Sequence, residues 1–77
     1  MTVNILFFGQ LTDITGTVSV TMDGINDTAM LTETLAKIYP GLVGSKYVLA
    51  INNEQVTENT ILTDDCTVAL LPPFSGG

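Results

Sequence analysis

The residues of this chain best placed to do chemistry are its last six, Pro72-Pro73-Phe74-Ser75-Gly76-Gly77. Their side chains offer no acid, no base and no strong nucleophile, so the reactive group they point to is the terminal carboxylate of Gly77. Without Cβ atoms, Gly76 and Gly77 can thread a narrow channel and take backbone angles closed to other residues. A bare pair of closing glycines is weak evidence, but the context sharpens it. The apolar run Thr67-Val68-Ala69-Leu70-Leu71 reads as a buried strand directly before the tail. The two prolines end that strand by fixing φ and removing amide donors. The glycines are therefore expected to project from a folded body.

Other chemistries find little support. The chain has no histidine, which excludes a Ser-His or Cys-His nucleophile pair, and its single cysteine, Cys66, can make neither an intramolecular disulfide nor a zinc cluster. Glycine-rich phosphate loops are absent. Cys66 enters the last strand and reads as a packing residue. Asp64 and Asp65 are adjacent and read as turn formers, while Glu54 and Glu58 read as solvated surface. A net charge of −6, with Lys37 and Lys46 as the only bases, leaves no footprint for a phosphate backbone or an anionic membrane. Nucleic acid and membrane are thus not expected as partners, whereas a basic protein surface would suit the charge. With no signal-like or membrane-spanning segment, a cytoplasmic protein is expected.

The elements that must position the tail fit one small domain of 77 residues, 45% hydrophobic. Val3–Phe8 is a β-rich apolar run ended by Gly9, and Val18–Met22 alternates as a half-buried strand should, so the two suggest a hairpin. Leu11 and Ile14 in the connection are spaced for a helical turn, with Gly16 as a stop. Asn26 or Asp27 can cap a helix whose apolar face holds Leu31, Leu35 and Ile38 and which Pro40-Gly41 terminates. Tyr47–Ile51 reads as a third strand, Asn52-Asn53-Glu54 as a turn tolerant of positive φ, and Gln55-Val56 as a short return. The first and last strands are the most apolar and are expected at the centre. Side by side they must run parallel, because the helical crossover lies between them. The predicted fold class is α+β of the β-grasp, ubiquitin-like type: a mixed sheet of about four to five strands with one main helix across it. Residues 1–77 form the domain and residues 72–77 its protruding tail.

The opening Ile5-Leu6-Phe7-Phe8-Gly9-Gln10-Leu11 with Gly16 downstream, the strand and turn containing Asn52, and the close Val68-Ala69-Leu70-Leu71-Pro72-Pro73-Phe74-Ser75-Gly76-Gly77 resemble the small, sulfur-carrying subunit of molybdopterin synthase. The resemblance spans nearly the whole chain, and its most specific part is the Pro-Pro-x-Ser-Gly-Gly end. It implies the β-grasp fold independently of the strand pattern, and a subunit without catalytic machinery of its own. An activating enzyme related to ubiquitin-activating proteins would use ATP and magnesium to adenylate Gly77. A sulfur donor, such as a cysteine desulfurase or rhodanese, would convert it to a thiocarboxylate. The tail, with Ser75 and Gly76, would then insert into the large synthase subunit of a heterotetramer and pass sulfur to cyclic pyranopterin monophosphate. No cofactor would be bound by this chain. Partner contacts are implied around Phe8, Leu71, Pro72, Pro73 and Phe74, although burial in the core is the better reading for Phe8 and Leu71, and packing on its own body an equal one for Phe74. One departure stands out: many relatives carry a basic-acidic pair where this chain has Thr12-Asp13.

Two alternatives remain open. A thiamine-pathway sulfur carrier shares the fold and the Gly-Gly end but generally lacks the Pro-Pro-Phe-Ser lead-in. A ubiquitin-like modifier or pure interaction module would use the same tail for conjugation, or not at all.

Overall fold

In a computed structural model, residues 2–73 are described. Strand β1 (Thr2–Phe7) buries Val3, Ile5 and Phe7 on one face. A single turn of helix, α1 (Leu11–Thr15), follows and stops at Gly16, which takes the left-handed conformation at φ 75°. Strand β2 (Ser19–Asp23) returns antiparallel to β1. Helix α2 (Thr28–Ile38) crosses over, and a short 3-10 turn (Pro40–Leu42) leads on to β3 (Val48–Ile51). Strands β4 (Glu54–Val56) and β5 (Thr67–Leu71) complete one five-stranded sheet in the order β2-β1-β5-β3-β4. The central pair β1 and β5 is parallel and every other pair antiparallel. This is the β-grasp arrangement.

The core follows from two periodicities meeting. Val3, Ile5 and Phe7 of β1 alternate inward, as do Val68 and Leu70 of β5, and Leu31 and Leu35 of α2 close over them. Tyr39 packs edge-on against Phe7, ring centroids 5.8 Å apart at 77°. The sequence assigned the next helical position in the core to Ile38, but Ile38 is 52% exposed. Leu31, Leu35 and Tyr39 follow a spacing of four, and the Tyr39 N–H closes the helix onto the Leu35 carbonyl at 2.7 Å, so the ring of Tyr39 takes the inward place. Val18 likewise drops out of β2 and is exposed; its carbonyl accepts from Phe7 N–H at 2.9 Å beyond the last register pair, Leu6 with Ser19. Inward alternation survives in Val20 and Met22, which pack on the core.

Turns and caps use the residues that their geometry demands. Asp27, not Asn26, caps α2: its carboxylate accepts from Met30 N–H at 2.8 Å. Asn59 completes the cap from across the chain, accepting from Ala29 N–H at 2.9 Å and from the Thr28 hydroxyl at 3.2 Å. The buried Thr28 hydroxyl in turn accepts from Thr60 N–H at 3.0 Å. Asn52 and Asn53 have φ of 48° and 73°, the two positive values that a tight hairpin turn requires. Asp64 accepts from Thr2 N–H at 2.7 Å, and Asp65, at φ 63°, donates its own N–H to the Thr2 carbonyl at 2.7 Å. These acids therefore fasten the start of β1, and no group of three or more potential metal ligands occurs among the described residues.

Leu35→Ala should destabilise the domain by about 2–5 kcal/mol through loss of buried side chain plus residual cavity. Asn59→Ala should cost about 1–3 kcal/mol by stripping acceptors from the start of α2. Denaturant unfolding of both variants checks this order.

Candidate functional site

Parallel pairing makes β1 and β5 finish at the same end of the sheet, with Phe7 opposite Leu70 as the last register pair. Phe8 prolongs the ladder by donating its N–H to the Leu70 carbonyl at 3.1 Å. Strand β3 is antiparallel to β5 and begins at this end, Val48 opposite Leu71. Three strand termini thus surround the point where the chain leaves the sheet at Pro72.

The two faces of the sheet differ in what covers them. One carries the core under α2. On the other, Leu6 lies beside Ala69 and Ala69 beside Ala50, while Leu71 lies beside Val48. These apolar side chains sit on the face away from α2, because side chains alternate along each strand; Leu6, Val48, Ala69 and Leu71 are half-buried there, and Ala50 is buried. Phe8, next along β1, is 43% exposed, which overturns its reading as a core residue, and Leu71 is half-buried on the open face. Both point outward because Phe7 and Leu70 occupy the inward positions. Pro72 and Pro73 are also half-buried. The open face therefore presents an apolar strip running toward the root of the tail.

Charge is distributed unevenly about this strip. Asp23, Asp64 and Asp65 gather at the far end of β1, where the Thr2 hydroxyl donates to Asp23 at 2.7 Å and its N–H to Asp64. At the tail end, Lys46 precedes β3 and is exposed, whereas Lys37 pairs with Glu33 on α2 at 3.9 Å. The neighbouring Tyr47 packs against the core, and burial pushes its phenol above the ordinary value of 10.0. Tyr47 also lines an open cavity of about 460 Å³ with Thr28, Thr32, Leu49, Val56 and Asn59. Glu58 lines it as well, but among the described residues its carboxylate makes no hydrogen bond to the hydroxyls there; Cys66 is buried elsewhere in the core.

Of the residues singled out in the sequence, Phe8, Leu71, Pro72 and Pro73 converge on this end of the sheet. Phe74, Ser75, Gly76 and Gly77 lie outside the described residues. Sequence reasoning missed Leu6 and Val48 as parts of the open strip, since their runs read simply as apolar strands. It also missed the close approach of Gly9 to Pro72: a Cβ built on Gly9 would stand 2.7 Å from Pro72 Cγ. The Thr12 hydroxyl donates to the Gly9 carbonyl at 2.9 Å and holds that turn.

A mixed sheet with a parallel central pair, one covering helix and a tail leaving beside an apolar face is the ubiquitin-like β-grasp body. Within that class, residues 5–77 match the ThiS family model, and the chain belongs to the ThiS family. It is 30% identical to a chain of the complex of subunits 1 and 2 of molybdopterin-converting factor from Helicobacter pylori 26695, with 100% of each chain covered and a TM-score of 0.77. The small archaeal modifier protein 1 of Methanosarcina acetivorans is 24% identical, with 99% of this chain and 96% of that one covered and a TM-score of 0.83. SAMP1 of Haloferax volcanii is 20% identical with full coverage of both chains and a TM-score of 0.82. The last two share the fold.

The raised Tyr47 pKa sets a pH dependence. Below about pH 10 the phenol is neutral in folded and unfolded chains and its contribution to stability is intact. That contribution is lost as pH rises through the folded value, because the unfolded chain ionises first. Phenolate absorbance should place Tyr47 above 10.0, and Tyr47→Phe should abolish its share of the alkaline loss of stability.

Proposed function

We propose that this chain is the sulfur-carrying small subunit of a molybdopterin synthase, with Gly77 as the carrier. The observation that carries the reading is the apolar open face, Leu6, Phe8, Val48 and Leu71, continuous with the root of the tail at Pro72-Pro73. A tail cannot bind firmly by itself, since fixing each residue costs about 1–2 kcal/mol of backbone entropy. An adjoining apolar face supplies the docking that the tail lacks, and a patch of this kind marks a protein interface. Residues 72–77, extended at about 3.3–3.6 Å each, reach roughly 20 Å, enough to enter a site inside a partner.

The chemistry falls on the terminus because the body contributes none. A terminal carboxylate, pKa about 3.3–3.7, is anionic at neutral pH and resists nucleophiles. In the proposed cycle a Gly77 oxygen attacks the α-phosphorus of magnesium ATP on the activating enzyme and pyrophosphate leaves. A persulfide of the sulfur donor attacks the carbonyl carbon of the adenylate and AMP leaves. A thiol then reduces the resulting acyl disulfide to the thiocarboxylate. Docked on the large subunit, the thiocarboxylate sulfur bonds to an oxygen-bearing carbon of cyclic pyranopterin monophosphate, whose oxygen substituent leaves, and water then cleaves the acyl–sulfur bond, restoring the carboxylate and leaving the sulfur on the pterin. ATP and magnesium belong to the activating enzyme. The similarity to a molybdopterin-converting factor chain over the full length of both supports this assignment. The cycle runs in the cytoplasm.

A second reading, a protein modifier, is favoured by the likeness to two small archaeal modifier proteins. Its mark would be attachment of Gly77 to lysines of other proteins. A thiamine-pathway carrier would instead hand sulfur to a thiazole synthase.

The deciding measurement is intact mass after incubation with activating enzyme, magnesium ATP and sulfur donor, then with large subunit and pterin precursor. Expected is a gain of one oxygen-to-sulfur exchange, reversed only when subunit and precursor are both present. No gain with a demonstrably active enzyme rejects the reading, and a gain that persists redirects it to another acceptor. One residue added after Gly77 should abolish the gain while the fold stays intact. Phe8→Asp and Leu71→Asp should each weaken large-subunit binding at least about tenfold, roughly 1.4 kcal/mol, in a titration calorimeter.

A further inference from the structure

The turn after β1 and the root of the tail touch in a way that neither element needs for its own folding. Gly9 has φ +58°, in the left-handed region, and the space a side chain would occupy there is filled by the Pro72 ring, with Cγ 2.7 Å and Cδ 3.5 Å from an ideal Cβ. Gly9 is itself held firmly. Its carbonyl accepts from the Thr12 hydroxyl at 2.9 Å and from Thr12 N–H at 3.2 Å, while Leu11 N–H donates to the Phe8 carbonyl at 3.2 Å. The first turn of α1 thus clamps one side of the contact. On the other side the Pro72 ring fixes its own φ, and Pro73 confines Pro72 to extended backbone, so the ring cannot move without carrying the chain beyond it.

We propose that Gly9 is a positioning residue: with Pro72 it forms a bracket that sets the direction in which the tail leaves the body, and so aligns the carrier end during sulfur transfer. The bracket rests on the sulfur-carrier reading for its consequence, though its geometry is independent of it. An added methyl group meets the Pro72 ring as well as the backbone strain of any side chain at φ +58°; because Thr12 anchors Gly9, it is Pro72, hence the tail root, that gives way, and the docking face stays in place. The two residues act as one unit, so their substitutions are not additive.

The test uses the full chain, loaded with sulfur, and the large subunit. Gly9→Ala should slow single-turnover transfer by about tenfold to a hundredfold, the scale of loss for about 1 Å of misplacement. Its dissociation constant for the subunit should change by less than about threefold, a split that loss of folding would not produce. Pro72→Ala, which lies past the last strand, should also slow transfer with the thermal midpoint unchanged, and the double variant should be no slower than the worse single one. A wild-type rate in Gly9→Ala, or losses that multiply in the double variant, overturns the bracket. Nuclear Overhauser contacts from the Gly9 α-protons to the Pro72 ring are expected in the unloaded protein and owe nothing to sulfur; their absence overturns it too. Unmodified chain from an active loading system, with those contacts present, counts against the carrier reading and leaves the bracket geometry standing.

Discussion

The rest of the structure depends on the parallel pairing of β1 with β5. Strands that begin and end the chain can lie side by side in this sense only if everything between them crosses over, and α2 makes that crossing. One consequence is energetic: the two most apolar strands occupy the centre of the sheet, where Val3, Ile5, Val68 and Leu70 are wholly buried. The other is geometric. The end of β1 and the end of β5 arrive together, so the turn that follows the first strand becomes the platform for the tail that follows the last.

Central position also explains why the sheet is apolar on both faces at that end. The runs Ile5-Leu6-Phe7-Phe8 and Val68-Ala69-Leu70-Leu71 do not alternate polar with apolar, a pattern that belongs to strands covered on both sides. In this chain α2 covers one side only, and the other remains open with Phe8 at its edge. The apolar face and the tail root are products of the same pairing, which is why the apolar strip runs up to Pro72 and Pro73.

The polar groups of the body are occupied in holding it together. Among the described residues no buried side-chain nitrogen or oxygen lacks a partner. Asp27, Asn59 and Thr28 are spent on the start of α2, and Asp64 on the start of β1. A body so arranged supplies shape, an apolar face and the point at which the chain leaves the sheet.

Local signals in the sequence determined the local structure. A cap at Asn26 or Asp27, Gly16 as a helix stop, the paired asparagines of the hairpin and the bounds of β5 were all legible, because each depends on a residue's own backbone preference or on near neighbours. The apolarity of the first and last strands also forecast their central, parallel placement. Tertiary structure decided which apolar residues faced inward. Tyr39 displaced Ile38 from the core, and the phase set by Phe7 and Leu70 sent Phe8 and Leu71 to the open face. It also decided that Asn59 would cap a helix thirty residues away and that Gly9 would meet Pro72. Such contacts join residues far apart in the chain, and no local preference encodes the distance between them until the central strands pair.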